Sequence, residues 1–93
     1  MAELIFEIWQ NHDDNSFEMS AVSERGDQVR STISPRAVRI HIFTAQSENE
    51  AAQKNNDYHG WGRYEPIEGL ADRRFTDAEL EEQRQYLAVR HVS

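Results

Sequence analysis

Cysteine is absent from this 93-residue chain. No disulfide braces the fold, and no thiolate is available as a metal ligand or a nucleophile. Apolar residues are scarce too, at 38% against 29% charged. A domain this small buries a low fraction of its surface even with a normal apolar complement, so the core is expected to be thin. No apolar run is long enough to span a membrane. The opening segment, Met1 to Trp9, has no basic start, and Glu3 and Glu7 interrupt its apolar residues, unlike a signal peptide. The default location is cytoplasmic. Basic residues are the other shortage: 10 Lys and Arg stand against 17 Asp and Glu, a net charge of −7. Duplex nucleic acid is held by cations that neutralise phosphates. Direct duplex binding is therefore not expected, and with no membrane-length apolar run no membrane contact is expected either. Catalytic signatures are also missing. There is no G-x-S-x-G, and Gly60-Trp61-Gly62 lacks the preceding strand and following helix of a phosphate loop. No catalytic residue and no cofactor is assigned.

What is present reads as one domain, residues 1–93. Leu4 to Gln10 alternates, and Phe17 to Val22 alternates again after the polar turn Asn11 to Ser16. That is a hairpin signal. In Ser23 to Asp27, Gly26 suits a positive-φ turn position, and Val29, Ser31 and Ile33 then read as a short strand. Ser34-Pro35 reads either as punctuation or as a helix start. The β-branched alternation of Val38, Ile40 and Ile42 favours a strand over Ala37 to Ala45. Ser47-x-x-Glu50 is a capping box. The helix it opens runs to Tyr58, with Ala51, Ala52 and Tyr58 as its buried face and Gly60 as its left-handed stop. Trp61 to Arg74 has no period. Thr76 and Glu79 form a second capping box, and Phe75 and Leu80 occupy staple positions. Acids crowd the start of that last helix, with Arg84, Arg90 and His91 toward its end. The predicted fold class is α+β: an antiparallel β-meander of about four strands followed by two helices (ββββ-α-loop-α), with the helices packed on one sheet face.

Phe6-Glu7-Ile8 through Phe17-Glu18-Met19, and later Ser47-Glu48-Asn49-Glu50-Ala51, give a strand, an acidic turn, a strand and an S-x-x-E-A helix. Over about half the chain this resembles the HicB antitoxin fold. The stretch Ser23 to Ala37 and the loop Trp61 to Arg74 depart from that pattern, and the resemblance gives no residue a role.

The richest local cluster is Tyr58-His59-Gly60-Trp61-Gly62-Arg63-Tyr64. Trp61 and Tyr64 would be rigid anchors, with Arg63 and His59 as polar contacts around them. A residue following a glycine stop usually packs three or four positions back in the helix. Here those positions are Asn55 and Asn56, so Trp61 must find the sheet, the last helix or a partner. Trp9 and Phe43 fall on the polar sides of their strands, near His41, where a lone subunit would leave rings wet. His12, His41, His59 and His91 have no ligand spacing, so no metal site is assigned. Glu7, Glu18 and His41 on one sheet face would be either a solvated face or an acid–base cluster.

These residues predict a small acidic non-enzymatic interaction protein. It would self-associate, as a homodimer, and bind a protein partner through an aromatic patch of Trp61, Tyr64, Arg63, His59, Trp9, Phe43 and His41. Two alternatives stay open. One is a small dimeric α+β enzyme or metabolite-binding protein, with His41, Tyr58, His59 and Arg63 lining a pocket between sheet and helices. The other is an acidic inhibitor or decoy of a nucleic-acid-binding protein, with carboxylates gathered on one face.

Overall fold

Alternating apolar residues place β1 (Leu4–Asn11) at the centre of a three-stranded antiparallel sheet of order β2-β1-β3. The structure, a computed structural model, describes residues 2–90; the expectation for His91 lies outside them. β2 (Ser16–Ala21) returns from the polar turn, and β3 (Val38–Ala45) pairs on the opposite edge of β1. Asx bonds hold the turn: Asp13 N–H donates to Asn11 Oδ1 and Ser16 N–H to Asp14 Oδ1, both at 3.0 Å. Register decides which side chains meet. Phe6 lies opposite Ala21 and Phe43, and Ile8 opposite Met19 and His41, so these share one face. Glu7 lies opposite Ser20 and Ile42 on the other face. His41 and Glu7 therefore lie on opposite sides of the sheet. The register slips between Ile8 and Trp9, which sets Trp9 opposite Arg39.

The short strand expected at Val29 to Ile33 is instead part of a helix, α1 (Glu24–Ile33). Ser23 caps it: its hydroxyl accepts from the Gly26 N–H at 2.9 Å. Gly26 is thus the third helical residue and not a positive-φ turn. Glu24 and Asp27 sit in the first turn and Arg30 in the last, as the helix dipole favours. The alternation of Val29 and Ile33 encoded no burial, since they are 42% and 73% exposed. Ser34 is the C-cap, its N–H donating to the Arg30 carbonyl at 2.7 Å, and Pro35 ends the element. Among the described residues the architecture is accordingly α+β with three strands and three helices, not four and two.

α2 (Glu48–His59) and α3 (Asp77–Leu87) complete the chain. Ser47 Oγ accepts from the Glu50 N–H at 3.1 Å, while the Glu50 carboxylate accepts from Gln46 N–H at 2.7 Å, one residue beyond the expected partner. The α3 capping box of Thr76 and Glu79 is complete, and Phe75 and Leu80 both reach the core. That core is small: Ala2, Leu4, Phe6, Ala45, Ala51 and Phe75, flanked by Met19, Ala21, Phe43 and Leu80. Tyr58 does not join it and is 43% exposed. The helices are not confined to one face. Ala51 of α2 packs with Phe6, whereas Arg30 of α1 lies over Trp9 on the opposite face. Gln83 of α3 is buried at the end of the sheet, where its amide bridges β1 to Val22. It accepts from Ile5 N–H (2.9 Å) and donates to the carbonyls of Ile5 and Val22 (both 3.0 Å).

Candidate functional site

The stop of α2 builds the aromatic surface. Gly60 adopts φ 70°, which a side chain would resist. Its N–H donates to Asp57 and the Trp61 N–H to Asn56, closing a Schellman turn. The turn swings Trp61 back over the ring of its own helix end: the Trp61 and His59 rings stack at 4.1 Å and 16°. Phe17 of β2 approaches both, at 4.6 Å from His59 and 6.5 Å from Trp61. Tyr58 meets His59 edge-on at 5.2 Å and stacks on His41 at 4.3 Å. From His41 the chain of rings runs inward, to Phe43 at 6.0 Å, Phe6 at 5.5 Å and Phe75 at 5.6 Å. One end of this ladder is core and the other is surface, where Trp61 is 59% exposed, Phe17 44% and Tyr58 43%. Gln53 pins the strip that follows, donating to the Gly62 carbonyl (3.2 Å) and accepting from the Tyr64 N–H (2.8 Å). Tyr64 is half-buried and Arg63 exposed beside it.

His59 carries its own electrostatic mark. Burial lowers its pKa below the usual histidine value, so the neutral ring is favoured. Its Nε2, like Asn55 Oδ1 one turn earlier, is buried without a hydrogen-bond partner among the described residues. A neutral ring suits the stack, since no imidazolium must be held between apolar faces.

Sequence reasoning thus gathered His59, Trp61, His41 and Phe43 into one cluster, and the structure joins them through Phe17 and Tyr58. Two expectations need correction. Phe43 is not wet: it stacks on Phe6 at 8° and is half-buried at the core margin. Trp9 is not in the cluster and is only 7% exposed. Its Nε1 donates to Glu7 Oε1 at 3.1 Å, and the Arg30 guanidinium lies 3.7 Å over its ring. The single subunit covers this ring itself.

Around Trp9 lies a charged network absent from the sequence reading. Glu7, 2% exposed, accepts from Arg90 through both terminal nitrogens (2.6 and 2.9 Å) and from Arg39 (2.9 Å). Asp27 accepts from Arg90 Nε (2.8 Å) and Nη2 (2.9 Å), and also from Tyr86 and Arg30. One guanidinium therefore ties β1 to α1 from the far end of the chain. Burial by itself would raise the Glu7 and Asp27 carboxyls. The hydrogen bonds from Arg90 and its neighbours prevail, and both stay below the usual carboxylate range. The Glu7 bond in turn raises Arg90 further. The one sequence signal for this network was Glu7 itself, a carboxylate in the middle of an apolar strand.

No group of three His, Cys, Asp or Glu converges as a metal site among the described residues. Three clefts stand out among the described residues. One of about 600 Å³ runs between β2 and α3, one of about 650 Å³ lies by α1 and Trp9, and one of about 260 Å³ lies by Gln46 and Thr76. None of the three includes a histidine, and His41, Tyr58 and His59 lie along the ring ladder and not around a cavity. No described helix is long and apolar enough to cross a membrane. Comparison with protein-family models, with curated proteins and with solved structures found no match.

Proposed function

We propose that this chain is a small acidic interaction protein, without enzymatic activity, that self-associates through the outer end of its ring ladder. The observation that carries the reading is Trp61: a large ring fixed flat on His59, yet 59% exposed, with exposed Phe17 and Tyr58 beside it. Rigid aromatic surface of this kind gains more from burial than it loses in side-chain freedom. A second copy is the occupant because the patch suits itself. Exposed Arg63 lies two residues before exposed Glu65, and the Gln53 amide donates both to exposed Asp57 and to the Gly62 carbonyl that precedes Arg63. Turned about a two-fold axis, such a patch sets rings on rings and cation on anion. The slender core points the same way: among the described residues its cluster holds two large rings, Phe6 and Phe75, beside Leu4 and three alanines. Tyr64 and His41 flank the contact. Sedimentation equilibrium across micromolar concentrations tests this. The wild-type chain should show a dimer that dissociates on dilution, and Trp61→Ala should stay monomeric with an unchanged circular dichroism spectrum. A monomeric wild type, or a dimer indifferent to Trp61→Ala, would overturn it.

A further inference from the structure

The cleft between β2 and α3 is a second surface with different chemistry. Met19 and Ala21 point to one face of β2 and Ser20 to the other, yet all three border the same cleft. The cleft therefore runs along the edge of the strand and not over one face. That edge is open. Val22 N–H donates inward to the Ile5 carbonyl at 2.9 Å. Strand alternation then turns the Ser20 and Glu18 backbone toward β1, and turns the backbone groups of Met19 and Ala21 outward. An unpaired edge of this kind is a template for one more strand. The floor beside it is apolar, built by Leu4, Phe6, Met19 and Phe75. At about 600 Å³ the cleft has the size of a ligand site.

The rim fixes the kind of occupant. Glu24, Glu48, Glu79 and Glu82 stand on it against one cation, Arg73. Arg73 is already engaged by Glu48 (3.0 Å) and Glu79 (3.0 Å). Glu24 and Glu82 have no cationic partner among the described residues. A second copy of a chain with net charge −7 would bring like charge to this rim. We infer that the β2 edge binds an extended basic segment of another protein. That segment pairs with the Met19 backbone and the Ala21 N–H, sets alternate apolar side chains on the Phe6–Phe75 floor, and turns its Lys or Arg residues toward Glu24 and Glu82.

The test is a titration of isotope-labelled protein with a short peptide of alternating Val and Lys, followed at backbone amides. The expected result is shifts and slowed exchange at Met19 and Ala21. A Val–Glu peptide should be inert, and Glu24→Lys with Glu82→Lys should weaken binding about tenfold while circular dichroism is unchanged. Glu82→Gln serves where the double variant does not fold, with a smaller loss in the same direction. Equal affinity for the acidic peptide would overturn the inference. So would shifts confined to β3 or to Trp61. Trp61→Ala should bind the peptide like wild type, which separates this surface from the self-association patch. Loss of peptide binding in Trp61→Ala would place the segment on the ring ladder and overturn the β2 assignment.

Discussion

The two faces of the sheet are held by opposite chemistry. On one, Phe6, Phe43 and Phe75 close the core ring against ring. On the other, Glu7 and Asp27 are gripped by Arg90, with Arg30 lying on Trp9. The apolar face tolerates approximate fit, because dispersion and water exclusion are not directional. The charged face does not. A buried carboxylate that loses its guanidinium keeps the cost of desolvation and loses what offset it. The contrast teaches where this small protein spends its specificity. Its rings supply cohesion, and its ion network fixes how α1 and Arg90 sit on the sheet.

Arg90→Ala should show the largest effect. It takes the shared guanidinium from two carboxylates that are buried or nearly so, leaving Glu7 to Arg39 and Trp9 and Asp27 to Arg30 and Tyr86, and the expected loss is about 4 kcal/mol of unfolding free energy. Urea denaturation measures it. Glu7→Leu in an Arg90→Leu background should be less damaging than Arg90→Leu alone, because the more deeply buried of the two under-compensated charges has gone. Phe75→Ala on the apolar face follows, at about 3 kcal/mol by the same assay. A loss from Arg90→Ala far below that from Phe75→Ala would break the contrast between the faces.

Acid should separate the faces more gently. Glu7 and Asp27 are held below their ordinary values, so their contribution is complete above the unfolded-state carboxylate range and is lost as pH falls through the folded-state values. His59 is depressed too, so the folded state resists its proton, and stability also falls as pH drops below the usual histidine value. Stability followed from neutral pH down should fall slightly near pH 6 and steeply below about pH 4. Glu7→Gln should flatten the lower step and leave the upper one. An unaltered lower step would contradict the assignment of that acid lability to the network.

Legibility in the sequence followed sequence distance. The Thr76 and Glu79 box, the Phe75 and Leu80 staple and the Gly60 stop lie within one helical turn, and each formed as the residues predict. The stack of Trp61 on His59 follows from that stop, since Asn55 and Asn56 offer the indole nothing apolar. α1 was misread because Val29, Ser31 and Ile33 imitate a strand and because Gly26 stands where a capping box would carry Glu. Its real signals were Ser23 ahead of Glu24 and Asp27. The ion network was out of reach for a different reason. Glu7 meets Arg39 and Arg90 across 32 and 83 positions, and no local spacing encodes such a meeting. Trp9 was placed correctly on the face opposite Phe6, but its cover comes from that network, and so a covered ring read as a wet one.

The two tryptophans differ in exposure, and fluorescence quenching reads the difference. Trp9 is 7% exposed and Trp61 59% exposed within the subunit, so a soluble quencher reaches one and not the other. The quenchable share of fluorescence should be high when the protein is dilute and should fall as concentration rises and the second copy shields Trp61. A share that stays high through concentrated protein would mean that the outer end of the ring ladder remains bare, and the account of this surface as a self-association site would be contradicted.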